Sequence, residues 1–214
     1  MIIRLIHLII VFFIVFQVSA QKLVVGVTEN MPLKGYDTLR TEPRGVFIDL
    51  LNYIAKEENW KLEYRLLKFQ ECLNLLEKGE IDIMPDLGYS ESRSNIYQFT
   101  KEDVMLSWGQ VYIPKESDIN TLIDLEKKKV AIVKNNVFDD GFIQVASNFN
   151  LDCEYIYVED YNDVFELIES KQVDAGVVNR IFGDYNSVNY NVYKTSIIFS
   201  PIHLHYAFPK GDNY

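Results

Sequence analysis

Basic clusters are missing from this chain of 214 residues, and with them any case for nucleic acid as a partner. Lysine and arginine number 21 against 31 acids, a formal net charge of −10 at pH 7. Such a surface repels polyanions and anionic lipid headgroups alike. Cysteine is scarce: Cys72 and Cys153 are the whole supply. An oxidising compartment would permit a bond between them. Cys72, however, falls on a core-facing helix of one half of the chain and Cys153 starts a strand in the other, so two buried free thiols are expected. A phosphate-binding loop, a GxGxxG turn, a nucleophile elbow and an HExxH pair are all lacking, as is any low-complexity tract. The expectation is therefore no enzyme and no cofactor. His203 and His205 share a strand face, but two ligands without a nearby third do not make a typical zinc site, so no metal is expected either.

What is present is globular in kind, 48% hydrophobic and 24% charged. The first twenty residues stand apart. Arg4 precedes an apolar run from Leu5 to Phe16 broken by His7, and Val18, Ser19 and Ala20 put small residues before Gln21. That order reads as a secretory signal peptide over 1–20, and hence a periplasmic or extracellular address. The other reading is an uncleaved membrane anchor, since the apolar run approaches the ~18 residues that can span. No cysteine follows the cut, which argues against a lipoprotein. Removal takes one arginine and no acid, moving the net charge from −10 to −11.

The stretch FQECLNLLEKGEIDIMPDLGYSESR, residues 69–93, organises the rest. Phe69, Cys72, Leu73 and Leu76 recur on one helical face, and Gly79 supplies the positive φ that ends the helix. A short buried strand follows. Asp86, Gly88, Tyr89, Ser90 and Arg93 then gather just past its carboxyl end, where open α/β sheets bind ligands. YNDVFELIESKQVDAGVVN, residues 161–179, aligns with 69–87 without a gap, and two such units imply two similar lobes.

Taken in order, the remainder repeats β-α-β-α-β twice, the alternation that builds parallel sheets covered by helices. The first half opens with KLVVGV and a long loop punctuated by Pro32, Gly35, Pro43 and Gly45, a length usually reserved for function. Phe47, Leu50, Leu51 and Ile54 mark the inner face of its first helix. In the second half Phe142, Val145, Ala146 and Phe149 mark one helix, and Val164, Leu167 and Ile168 another. VMLSWGQVYIPK, ending near Pro114, reads as a strand crossing between halves, and the apolar run near the end should cross back. The expected limits are lobe one at 21–113, lobe two at 114–197 and a return crossing at 198–214.

GVFIDLLNYIAKEENWKLEY (45–64), LLEKGEIDIMPDLGYSESR (75–93) and VDAGVVNR (173–180) together resemble the periplasmic solute-binding proteins of family 3, sensor domains included. The resemblance covers nearly all of 22–210. It implies an α/β, two-lobed type II periplasmic-binding fold, each lobe a mixed, mainly parallel sheet flanked by helices. A small-molecule ligand, an amino acid or related carboxylate, would be clasped by closure of the lobes. Arg93 matches the family arginine that holds an α-carboxylate, and its planar fork of donors suits that group. Ser90 would cap the short helix at Glu91. Asp86 is either a ligand contact or the ion-pair partner of Arg93, while Gly88 leaves the backbone open beside it. The family acid for an α-amino group aligns with Asn179, and the loop completing the carboxylate site aligns with Asn135, Asn136 and Val137. Glu29 and Asn30 are further cleft candidates. Trp108 is either a stacking face for the ligand or hinge packing.

Asp82 and Asp174 occupy equivalent places in the repeat and read as turn caps rather than site residues. Relatives usually continue past Lys210 into a further helix, and sensors into a membrane span with an output module. A partner would accordingly be a membrane receptor module or, in the alternative role, an ABC permease. Asn179 inclines the reading to the sensor type. A dehydratase-like enzyme is the alternative of another class, with Asp86 and Glu29 as its acid and base.

Overall fold

A computed structural model describes residues 20–36 and 42–211; the signal segment expected over 1–20 lies, but for Ala20, outside them. β1 (Gln21–Val27) enters lobe one and pairs in parallel with β4 (Trp60–Leu66). Between them come a two-residue hairpin, β2 (Gly35–Tyr36) with β3 (Pro43–Arg44), and helix α1 (Val46–Glu57). Helix α2 (Phe69–Glu77) leads through Gly79, at φ 69°, to β5 (Met84–Gly88), and a parallel bridge from Ile83 to Val25 joins that segment to β1. α3 (Glu91–Ser94) and β6 (Tyr97–Phe99) complete the lobe's first pass.

β7 (Met105–Pro114) then carries the chain into lobe two. There β9 (Glu154–Val158), β8 (Lys129–Val133) and β10 (Ala175–Asn179) lie in parallel, and β10 pairs antiparallel with β7. α4 (Val137–Asn148) and α5 (Tyr161–Glu169) cover this sheet. α6 (Arg180–Asn186) and a 3-10 turn occupy a stretch that reads in the sequence as a polar, tyrosine-rich loop. The start of α6 is set by Asn179, whose Oδ1 accepts the Phe182 N–H at 2.8 Å.

The return is β11 (Val192–Pro209), eighteen residues that pair with β7 first and with β5 and β6 last. β7 and β11 thus belong to both lobes. Their ladder shifts register between Lys194 and Ile198 and again between Phe199 and Ile202, around Ser200 at φ 48°.

Side chains alternate across each sheet with the period of two that a strand imposes. Leu23, Val25 and Val27 face one core while Val24 faces the other; Val130 and Ile132 oppose Ala131 and Val133 in the same way. The interior parallel strands, β8 from Val130 on and β10, are buried along their length and read as apolar runs, whereas the outer strands β4 and β9 carry charged residues and stay partly exposed. Helix faces sit slightly rotated from the sequence expectation. α1 buries Phe47, Ile48, Leu51 and Ala55 and leaves Leu50 at 38% exposure, and Phe149, just past α4, is exposed. Cys72 is buried and free, and Cys153 is free but only half-buried.

Candidate functional site

The carboxyl ends of parallel strands and the loops behind them meet between the lobes. Thr28, Glu29 and Asn30 follow β1, Asp86 to Gly88 end β5, Asn136 follows β8 and Asn179 ends β10. With Lys34, Phe69, Arg93, Phe138 and Tyr161 they line one cavity of about 300 Å³. Phe69 and Tyr161 are equivalent positions of the internal repeat, the first residues of α2 and α5.

Arg93 crosses the cleft. Its Nη1 donates to the Gly88 carbonyl at 2.9 Å within lobe one, and Nη2 to the Asn135 carbonyl of lobe two at 2.9 Å. Its guanidinium also stands 5.8 Å from the Phe69 ring centroid. Ser90 orients α3 by accepting the Arg93 N–H at 3.3 Å. Enclosure pulls the arginine's pKa down, yet it stays a cation at any physiological pH. Both hydrogen-bond partners are neutral carbonyls, so donors remain for an anion.

The floor of the cavity carries a different charge set. Asp86 sits at φ 59°, a left-handed backbone that Asp tolerates better than most residues. Its Oδ2 meets the Lys34 ammonium at 2.9 Å and also accepts the Asn30 amide. Burial pushes the Asp86 carboxyl up, while Lys34 and Asn30 work against that rise. Of the two readings of Asp86, ligand contact or ion-pair partner of Arg93, the second is not met: its ion pair is made with Lys34.

Deep in the cleft lobe two contributes neutral groups, its acids Glu159 and Asp160 standing at the lip. Asn136 Oδ1 caps α4 on the Phe138 N–H at 3.0 Å, and its Nδ2 donates to the Tyr161 hydroxyl at 2.7 Å. Asn179 uses its oxygen to cap α6 and its amide to reach Asn30 Oδ1 across the cleft at 3.1 Å. Lys68 to Asp160 at 2.8 Å, Gln70 to the Lys134 carbonyl at 2.8 Å and Asn186 to the Met31 carbonyl at 3.1 Å tie the lobes at both lips. The lobes are shut.

Arg93, Asp86, Gly88, Asn136, Asn179 and Glu29 thus share one wall system, whereas Ser90 and Trp108 stand outside the lining. Trp108 is half-buried on β7 and carries the Arg180 guanidinium 4.2 Å from its ring centroid. Lys34, Phe69 and Tyr161 are among the cleft residues that sequence reasoning passed over. The ungapped repeat already placed Phe69 opposite Tyr161, and Lys34 lay between Pro32 and Gly35 in the punctuated loop. His203 and His205 are engaged separately, with Asp103 at 2.7 Å and with the Thr100 carbonyl at 3.1 Å. Among the described residues no group of three or more His, Cys, Asp or Glu could hold a metal, and no helix is long and apolar enough to cross a membrane.

Known proteins share this arrangement. The sequence pattern of the bacterial extracellular solute-binding proteins, family 3, matches residues 23–181. The probable amino-acid-binding protein YxeM of Bacillus subtilis (strain 168) is 29% identical over 107 residues, or 49% of this chain and 36% of that protein. The chain thus matches about a third of the length of this curated relative. An ancestral arginine-binding protein bound to glutamine superposes with a TM-score of 0.78 at 25% identity, covering 89% of this chain and 85% of the other. A histidine kinase sensor domain with similarity to periplasmic binding proteins reaches 0.78 at 21% identity, covering 91% and 84%. The fold is the two-lobed type II periplasmic-binding arrangement, and the chain belongs to the bacterial extracellular solute-binding proteins, family 3.

Proposed function

We propose that this chain is an extracytoplasmic ligand-binding domain of the sensor type, which shuts its lobes on a small polar solute bearing a carboxylate, an amino acid or a related acid. The observation that carries the reading is Arg93, whose guanidinium spans from Gly88 to Asn135 inside the cleft and hydrogen-bonds a neutral carbonyl at each end. An anion seated on that fork would be held by both lobes at once, through the arginine and through the loop at Asn135 and Asn136. Only a ligand that binds the shut form better than the open one shifts the equilibrium, and a contact shared by both lobes has that property.

The test is a thermal-shift screen of amino acids and related acids, followed by calorimetry on the hits. Arg93→Ala should abolish the ligand-induced shift, and Arg93→Lys should restore little of it because a point charge lacks the fork. Unchanged binding in Arg93→Ala would reject the assignment. For the output, a signalling role requires that ligand change the activity of an attached receptor module. Stimulation of a permease's ATPase would move the role to transport, and conversion of the bound solute to product would move it to catalysis.

A further inference from the structure

What else the ligand carries is written in the floor of the cavity. Lys34 is 1% exposed, and in its ion pair with Asp86 at 2.9 Å each side chain is 2% exposed. The same ammonium lies 3.3 Å from the Asp86 carbonyl. A free amino acid closed into this cleft would need an acceptor for its own ammonium, because a buried cation without a partner is costly. Asp86 is the acid at the right depth, and its Oδ2 already serves the chain's own cation and Asn30.

No other lining acid at that depth replaces it. Asn136 and Asn179 are neutral, and their oxygens cap α4 and α6. Asp160 pairs with Lys68 at the lip, while Glu71 and Glu159 are exposed. Glu29 is turned over Gly35, its Oε2 2.6 Å from where a Cβ on that residue would stand. Lys34 and Asp86 pair, and Arg93, bonded to two carbonyls and flanked by the exposed carboxylate of Asp140, is the lining cation whose fork stays open to an anion. Beside it the wall is apolar, with Leu66, Leu67, Phe69, Val133, Phe138 and Leu204.

We propose that the site takes a carboxylate with no ammonium next to it, a 2-oxo, 2-hydroxy or plain carboxylic acid with an apolar tail, and that Lys34 fills the place of the missing amino group. This rests on the Arg93 reading, and it narrows the solute class that reading leaves broad.

Matched series test it by calorimetry on the purified chain: leucine against 4-methyl-2-oxopentanoate and 4-methylpentanoate, and phenylalanine against phenylpyruvate and 3-phenylpropionate. Arginine and glutamine are added as polar amino acids. The amino-free member should bind tighter than its partner by on the order of tenfold or more. An amino acid that binds as tightly as its counterpart, or tighter, and loses that binding in Arg93→Ala, overturns the inference and leaves the arginine assignment standing. Failure of both series to give any Arg93-dependent binding overturns both. Lys34→Gln adds a second measurement by freeing Asp86 of its cation, and should swing preference towards the amino member by a similar factor. A folded Lys34→Gln protein with the original preference would refute the role given to Lys34, and the wild-type comparison decides alone if that variant does not fold.

Discussion

Asp139 stands in the first turn of α4, 2% exposed, with both carboxylate oxygens outside hydrogen-bonding geometry among the described residues. Burial pushes its carboxyl well above the ordinary range. The folded state therefore holds the proton more tightly than the unfolded chain, and the penalty of ionising it grows as pH rises from the unfolded value near 3.9 through the folded one. Asp139→Asn should stabilise the protein at pH 7 by about 1–3 kcal/mol, with the gain fading towards pH 4. Melting both proteins across that range checks it; a gain independent of pH would mean that the charge is not the cause. The sequence could not show this, since an acid in a helix's first turn ordinarily reads as an exposed partner of the helix dipole. Arg93 was legible because it follows a buried strand and a capping Ser90. Lys34 was not, because its partner Asp86 lies 52 residues away and only the folded chain brings them together. Cys72 shows the reverse case: its helical spacing announced a core position, and burial pushes the thiol up to about 12, leaving it inert.

The two helix-turn-strand units are the elements most plainly written in the sequence. α2 and α5 are each nine residues long and begin and end at aligned positions. Asp82 and Asp174, which the sequence suggests as turn caps, tie their turns to the neighbouring strand. Asp82 Oδ2 accepts the Val24 N–H at 2.6 Å, and Asp174 Oδ2 accepts the Lys129 N–H at 2.8 Å. Two lobes thus use one device to fix a helix-to-strand turn against the strand beside it. Asp82→Ala and Asp174→Ala should each cost about 1–3 kcal/mol. Because the sites lie in separate lobes, the double variant should lose the sum to within about 0.5 kcal/mol. Urea denaturation measures all three, and strong non-additivity would show that the lobes do not bear these losses independently. Helix faces were legible to within a fraction of a turn. The difference at Leu50 and Phe149 arises because the sheet beneath selects which edge of an apolar stripe is covered, and that choice is made by packing rather than by period.

Closure is a property of the whole molecule, and little of it is visible in the sequence. Two crossing strands, β7 and β11, hold the lobes together, with the Phe199 ring packed where a side chain on Gly109 would stand. The shut form is then secured by side chains that meet across the cleft, from Lys68 and Asp160 at one lip to Asn186 at the other. The exposed Lys68 pair contributes little in water, so the buried contacts decide. Asn179 is the clearest of these, 1% exposed and bonded through Asn30 to the same Asp86 that holds Lys34. An aspartate there would keep an oxygen for the Phe182 cap but lose the donor to Asn30, and would bury a second carboxylate beside Asp86. Asn179→Asp should lower stability by about 3 kcal/mol and favour the open lobes. Small-angle scattering of the ligand-free variant should give a larger radius of gyration than wild type. An unchanged radius together with unchanged melting would mean that the Asn179 to Asn30 bond does not hold the lobes shut, and that closure rests on the lips and on Arg93 alone.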